Sequence, residues 1–174
     1  MTIRKILTEP DPFLRQKSTK VDEVNDEIQI LMNDMLDTMY NAPGIGLAAI
    51  QVGVPKRVIV IDLSRDDEKK TPLYFVNPEI ITNSNNEATY EEGCLSVPGQ
   101  YAEINRPDKC QVKYLDYYGK EQILKAEGLL ATCIQHEIDH LEGILFIDYL
   151  SKLKKNMIVK KLSKQKKSLE RIVV

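Results

Sequence analysis

The chain of 174 residues reads as a single α+β domain: short, mainly antiparallel strands around a buried helix that carries a His-Glu-x-x-His run. Three observations predict this fold class. β-Branched runs of strand length crowd the middle of the chain, an amphipathic helical pattern precedes them, and a segment that is apolar on most sides follows them. The length suits one core, and no internal repeat or low-complexity linker marks a second domain.

The elements follow in order. Met1 to Lys20 reads as extended chain and turns, broken at Pro10-Asp11-Pro12. Asp22 to Tyr40 is an amphipathic helix: Val24, Ile28, Leu31, Met35 and Met39 recur at helical spacing, with Met32 and Leu36 on the same broad face. Pro43 and Gly44 end it. Arg57 to Leu63 is a β-branched run, and Leu73 to Val76 is a second short strand stopped by Asn77-Pro78. Asn83 to Asn86 is a turn-rich gap. Glu91 to Pro98, punctuated by Gly93 and Pro98, reads as neither a helix nor a regular strand. Gln111 to Leu115 and Glu121 to Ala126 form a hairpin around Gly119. Leu129 to Leu141 is helical and apolar on most sides, which predicts burial. The tail is a further helix with a thin apolar stripe of Leu150, Leu153, Met157 and Leu162.

Composition narrows the function classes. No apolar stretch approaches the roughly 18 residues that span a membrane. The polar start, with its two prolines, is neither a signal peptide nor an amphipathic transit sequence, so the expected compartment is the cytoplasm. There Cys94, Cys110 and Cys133 are thiols, an odd number without disulfide-framework spacing. The net charge of -2 hides an asymmetry. From Ser151 onward nine lysines and arginines face one acid, Glu170, while residues 1–150 carry an acidic excess. The chain is therefore read as a catalytic body over 1–150 and a basic helical tail of the same domain over 151–174, with a tail partner of its own. That partner is expected to be ribosomal RNA; neither a membrane nor DNA is expected.

The chain has two histidines, and both lie in His136-Glu137-Ile138-Asp139-His140. Residues four apart on a helix sit one turn above each other, so two imidazoles can hold one metal ion with Glu137 beside them as a general base. Such groups on a buried helix are costly unless paired with a metal or a partner. A catalytic metal keeps three protein ligands and one open position. One protease class would put a third histidine at the position of Phe146, and a second would need a downstream glutamate, where Glu170 in the basic tail is the only acid after Asp148. The third ligand must then lie upstream. Cys94 is the best choice, in Glu91-Glu92-Gly93-Cys94-Leu95-Ser96-Val97-Pro98; Cys133 and Cys110 read better as small buried hydrophobes.

Three segments in order resemble the signature motifs of the peptide deformylase family: Gly44-Ile45-Gly46-Leu47-Ala48-Ala49-Ile50-Gln51, Glu92-Gly93-Cys94-Leu95-Ser96 and Gln135-His136-Glu137-Ile138-Asp139-His140-Leu141-Glu142-Gly143. Ile6 to Arg15 looks like the family's start, and Cys94 to Pro98 resembles its bacterial type. The resemblance covers nearly all of residues 1–150. It implies removal of the formyl group from formylmethionine at the start of nascent peptides. It implies Cys94, His136 and His140 as metal ligands, Glu137 as the catalytic acid/base, and the Gln51 side chain with the Leu95 backbone N–H as oxyanion donors. It implies Fe²⁺ as the ion, with Zn²⁺, Ni²⁺ or Co²⁺ able to substitute. It also implies a methionine pocket lined by Ile45, Gly46, Glu92, Leu129, Thr132, Cys133 and His136. Asp139 is a candidate for orienting a ligand, and Arg106 for binding a nearby carboxylate or the substrate backbone.

Two other readings make different demands. A cytosolic metalloprotease would cut internal peptide bonds rather than release formate. A nonenzymatic metal- or RNA-binding module built on the tail would make no use of Glu137.

Overall fold

Strand β2 (Val58–Ile61) is buried at all four residues, because both of its faces are covered. Ile59 and Ile61 join one apolar cluster and Val58 and Val60 the other. Alternation along a strand points successive side chains to opposite faces, so an unbroken Val-Ile-Val-Ile run is what a doubly covered strand requires. The computed structural model of the chain describes residues 2–64 and 68–172. Met1 in the predicted opening segment, and Val173 and Val174 in the predicted tail, lie outside the described residues.

Two helices cover the two faces. Helix α1 (Asp26–Asn41) brings Leu31, Met32, Met35 and Met39 to one side. It starts later than the hydrophobic pattern suggests because Asn25 caps it, accepting a hydrogen bond from the Ile28 N–H at 3.1 Å. Helix α2 (Gly128–Leu141) brings Ala131, Cys133, Ile134 and Leu141 to the other side, against Ile59, Ile61, Phe75 and Val112.

The main sheet is antiparallel throughout, in the order β1 (Gly46–Ala48), β2, β3 (Leu73–Asn83), β6 (Lys109–Leu115), β7 (Glu121–Glu127). A separate two-stranded arm pairs β4 (Glu87–Cys94) with β5 (Val97–Pro107). Helix α3 (Lys152–Ile172) ends the described chain. Among the described residues no helix is long and apolar enough to cross a membrane.

Three expectations need correction. The second strand does not stop at Asn77-Pro78: β3 runs to Asn83 and absorbs the pair as an irregularity in its pairing with β6, a place where proline's missing N–H is tolerated. Glu91 to Pro98 is regular strand on either side of a turn at Leu95 and Ser96, with Cys94 paired to Val97. The tail's inner face is also not the predicted stripe. Leu162 is buried and Leu150 packs beside it, but Ile158 and Val159 complete that cluster, while Leu153 and Met157 are 72% and 63% exposed.

Candidate metal centre

The site forms where α2, the β4–β5 turn and the segment after β1 meet. Helix α2 carries His136, Glu137 and His140 on one buried face. The His136 and His140 rings lie 5.1 Å apart, edge to face at 73°, as residues one turn apart can. The end of β4 delivers Cys94, whose Sγ is 3.2 Å from His140 Nε2. One ligand atom each from Cys94, His136 and His140 lie within 4.8 Å of one another. Two borderline imidazole nitrogens and one thiolate sulfur make a donor set suited to a divalent transition metal.

The other two thiols lie elsewhere. Cys110 is in the core, and Cys133 is 6% exposed with its Sγ near the Ile45 carbonyl. Burial pushes both thiols up, which holds them protonated and disfavours metal ligation.

Each candidate group is held from behind. His136 Nδ1 is 2.8 Å from Glu92 Oε2, which turns its Nε2 toward Cys94 and His140. Arg106 grips the same Glu92 carboxylate with two hydrogen bonds, Nε to Oε1 at 2.6 Å and Nη2 to Oε2 at 3.0 Å. Burial pushes Glu92 up, but His136 and Arg106 outweigh it and hold the carboxyl below its ordinary range. Glu92 was expected to line the methionine pocket. It borders the cleft, but its carboxylate is committed to His136 and Arg106.

Glu137 is 4% exposed, and its Oε2 has no hydrogen-bond partner among the described residues. Burial pushes its carboxyl up to about 7, with Glu92 adding to the effect and the His136 charge opposing it. A carboxyl that exchanges a proton near neutral pH is suited to acid and base work in one cycle. Burial, then the His136 charge, holds His140 well below the ordinary imidazole range.

Gln51 is 1% exposed in a short 3₁₀ turn after β1. Its Oε1 accepts the Ala48 N–H at 2.8 Å, which fixes the amide's orientation. Its Nε2 then donates to Ser96 Oγ at 3.0 Å and points at Cys94 Sγ at 3.5 Å. The amide nitrogen therefore faces the ligand cluster. Ser96, fully buried, has a part at the site that its place after Cys94-Leu95 in the sequence does not reveal. Leu95 occupies the β4–β5 turn, its side chain against Gly44.

A cleft of about 430 Å³ opens over these groups. Ile45, Gly46, Leu129, Thr132, Cys133 and His136 all border it. Ile45 and Leu129 remain 46% and 44% exposed, an apolar rim at its mouth.

Comparison with known proteins gives the family. The model of the polypeptide deformylase family matches residues 3–156. The chain belongs to the peptide deformylase family. A peptide deformylase of Pelagibacter ubique is 67% identical over 174 residues, covering all of both chains, and one of Rhizobium meliloti is 55% identical over 97% of each. Among solved structures, the peptide deformylase of Ehrlichia chaffeensis superposes with a TM-score of 0.91 at 42% identity, covering 96% of this chain and 98% of that one. That of Legionella pneumophila superposes with a TM-score of 0.89 at 49% identity, over 98% and 99%. The chain is a metal-dependent hydrolase that removes the N-formyl group from N-terminal formylmethionine of new polypeptides, releasing formate.

Proposed function

We propose that Cys94, His136 and His140 hold the metal, that Glu137 moves the protons, and that Gln51 and the Leu95 N–H steady the oxyanion. The convergence of three ligand atoms within 4.8 Å, beside a buried carboxyl with an unpartnered oxygen, carries this reading. Such an ion, when bound, supplies Lewis acidity and brings the pKa of water toward neutrality. Fe²⁺ is the proposed ion, with Zn²⁺, Ni²⁺ or Co²⁺ able to substitute.

Glu137 takes a proton from the attacking water and returns it to the departing amine, so one buried group serves both halves of the reaction. The formyl oxygen gains charge as the carbonyl carbon becomes tetrahedral. Donors fixed beforehand at that oxygen lower the barrier, and the locked amide of Gln51 needs no reorganisation. The Gly44–Gly46 segment pairs with the substrate backbone as an added strand. Ile45, Gly46, Glu92, Leu129 and Cys133 border the space for the methionine side chain.

Formate release from formyl-Met-Ala-Ser, without cleavage between residues, tests the reaction. Glu137→Gln is expected to keep its metal and lose about 10²-fold or more in kcat, the scale of an acid/base group. Near-normal turnover in that variant would refute the mechanism. Internal chain cleavage would favour the metalloprotease alternative.

The chain is proposed to work in the cytoplasm, with residues 1–150 as its catalytic unit and the basic tail contacting ribosomal RNA. Lys160, Lys161, Lys164 and Lys167 are exposed on α3. Changing these four to Glu should abolish a salt-dependent ribosome association while formyl-Met-Ala-Ser turnover stays unchanged. Equal ribosome binding by that variant would reject the contact.

A further inference from the structure

A line of alternating charges runs from the metal ligand to the junction before the C-terminal helix. His136 Nδ1 meets Glu92, and Glu92 takes two hydrogen bonds from Arg106. Arg106 also donates from Nη1 to Asp139 Oδ2 at 2.8 Å. The same Asp139 oxygen accepts the Tyr149 hydroxyl at 2.8 Å. The Tyr149 ring lies under the guanidinium, 4.9 Å from Cζ to the ring centroid. Arg106 is 4% exposed, so its orientation is set by these partners and not by water.

Tyr149 stands apart from the catalytic groups. It ends the 3₁₀ turn Phe146–Tyr149, three residues before α3 begins, and is 51% exposed. A half-exposed tyrosine has no need of a buried ion-pair network for its own solvation. Its hydroxyl and ring instead restrict both Asp139 and Arg106. We propose that Tyr149 is a positioning residue of the metal centre, clamping Arg106 and Asp139 so that Glu92 keeps the His136 ring aimed at the ion. This rests on the proposed ligand set.

The chemistry supports a measurable effect. Groups behind a metal-bound histidine fix its ring and raise its basicity, and their loss costs about 10–100-fold in metal affinity. A buried guanidinium that loses one contact can shift toward another carboxylate, and Glu92 shares one oxygen between Arg106 and His136. Any tilt of Arg106 therefore reaches His136 through that oxygen.

The test uses the full chain loaded with Co²⁺, comparing wild type, Tyr149→Phe and Tyr149→Leu, with Tyr118→Phe, 74% exposed, as the surface control. A chelator strips the ion, and release is followed by loss of the Co²⁺–thiolate absorption. Tyr149→Phe, which keeps the ring, should release Co²⁺ about tenfold faster, and Tyr149→Leu faster still. The absorption band of both should shift before release, and kcat should fall while KM for formyl-Met-Ala-Ser stays within about twofold. Tyr118→Phe should match wild type. Wild-type release rate and absorption in Tyr149→Phe would overturn the proposal for Tyr149 and leave the ligand set intact. A Cys94→Ala variant that keeps the wild-type Co²⁺ absorption and release rate would overturn the ligand set, and the proposal with it. Circular dichroism keeps these outcomes apart from a failure to fold.

Discussion

Gly46 lies directly against Glu137. A methyl group at Gly46 would overlap Glu137 Oε1 and sit 3.0 Å from Cys133 Sγ. The backbone of β1 thus forms the wall that holds the proposed acid/base in place, and only glycine leaves room for it. Gly46→Ala is expected to keep the metal but to lose about 10²-fold in kcat, because small misplacements of a proton-transfer group are costly. Parallel kinetics and metal analysis check it. A variant with wild-type kcat would show that Glu137 tolerates displacement.

Ser96 anchors the Gln51 amide at 3.0 Å and is itself fully buried. Removing one oxyanion donor costs about 10²–10³ in kcat, so Gln51→Ala should fall in that range. Ser96→Ala leaves the donor present but loosely aimed, and an intermediate loss of about tenfold is expected. The informative comparison is the double variant. If Ser96 acts through Gln51, adding Ser96→Ala to Gln51→Ala changes kcat little. Independent, multiplying losses would give Ser96 a separate role.

The parts of the fold that were readable from sequence are those with a strong apolar signal. The Met-rich face of α1, the Val-Ile-Val-Ile run of β2 and the apolar α2 each stated their own burial. The β4–β5 arm did not. Its strands face solvent along much of their length, and Glu87, Glu91, Gly93 and Gly99 mask the period of two. Yet that arm delivers Cys94, Glu92, Ser96 and Arg106 to the site. The histidine pair was legible because its spacing is local to one helix. Arg106 was legible as a partner for some carboxylate, and it grips Glu92 and Asp139, but which carboxylates, and the parts of Glu92 and Tyr149, were not, since these contacts join residues 14 to 44 positions apart. Only the packing of the β4–β5 arm against α2 and the Phe146–Tyr149 turn brings them together.

Asn77 adopts φ 51°, a left-handed conformation that asparagine tolerates better than most residues. Its side chain accepts the Val21 N–H and donates to the Val21 carbonyl, both at 2.8 Å. Asn77 therefore pins the N-terminal segment to β3. Asn77→Ala loses two hydrogen bonds and meets backbone strain, and is expected to destabilise the chain by about 2–4 kcal/mol. At this chain length that lowers Tm by roughly 4–16 °C. Asn77→Gly relieves the strain alone and should lose less. Calorimetry of the two variants separates the contributions.

Asp62 gathers the loop after β2, and its behaviour fixes a pH window. It accepts hydrogen bonds from the Tyr40 hydroxyl, from Ser64 and from the Thr71 N–H, and is 3% exposed. Burial alone would push its carboxyl up, but the donors from Ser64, Tyr40 and Thr71 outweigh it and hold it below the ordinary range. A folded-state value below the unfolded one means that the unfolded chain binds the proton first. The stabilisation is then complete above the unfolded value of about 4 and is lost as pH falls through the lower folded value. Asp62→Asn removes the charge from these donors and should lower Tm at pH 7. It should also weaken the fall in Tm below about pH 4, where wild type loses the contribution. Thermal scans of both proteins across that interval test the sign. An equally steep acid loss in Asp62→Asn would assign the acid sensitivity to other carboxylates, such as Glu142, which Arg57 holds below its ordinary range.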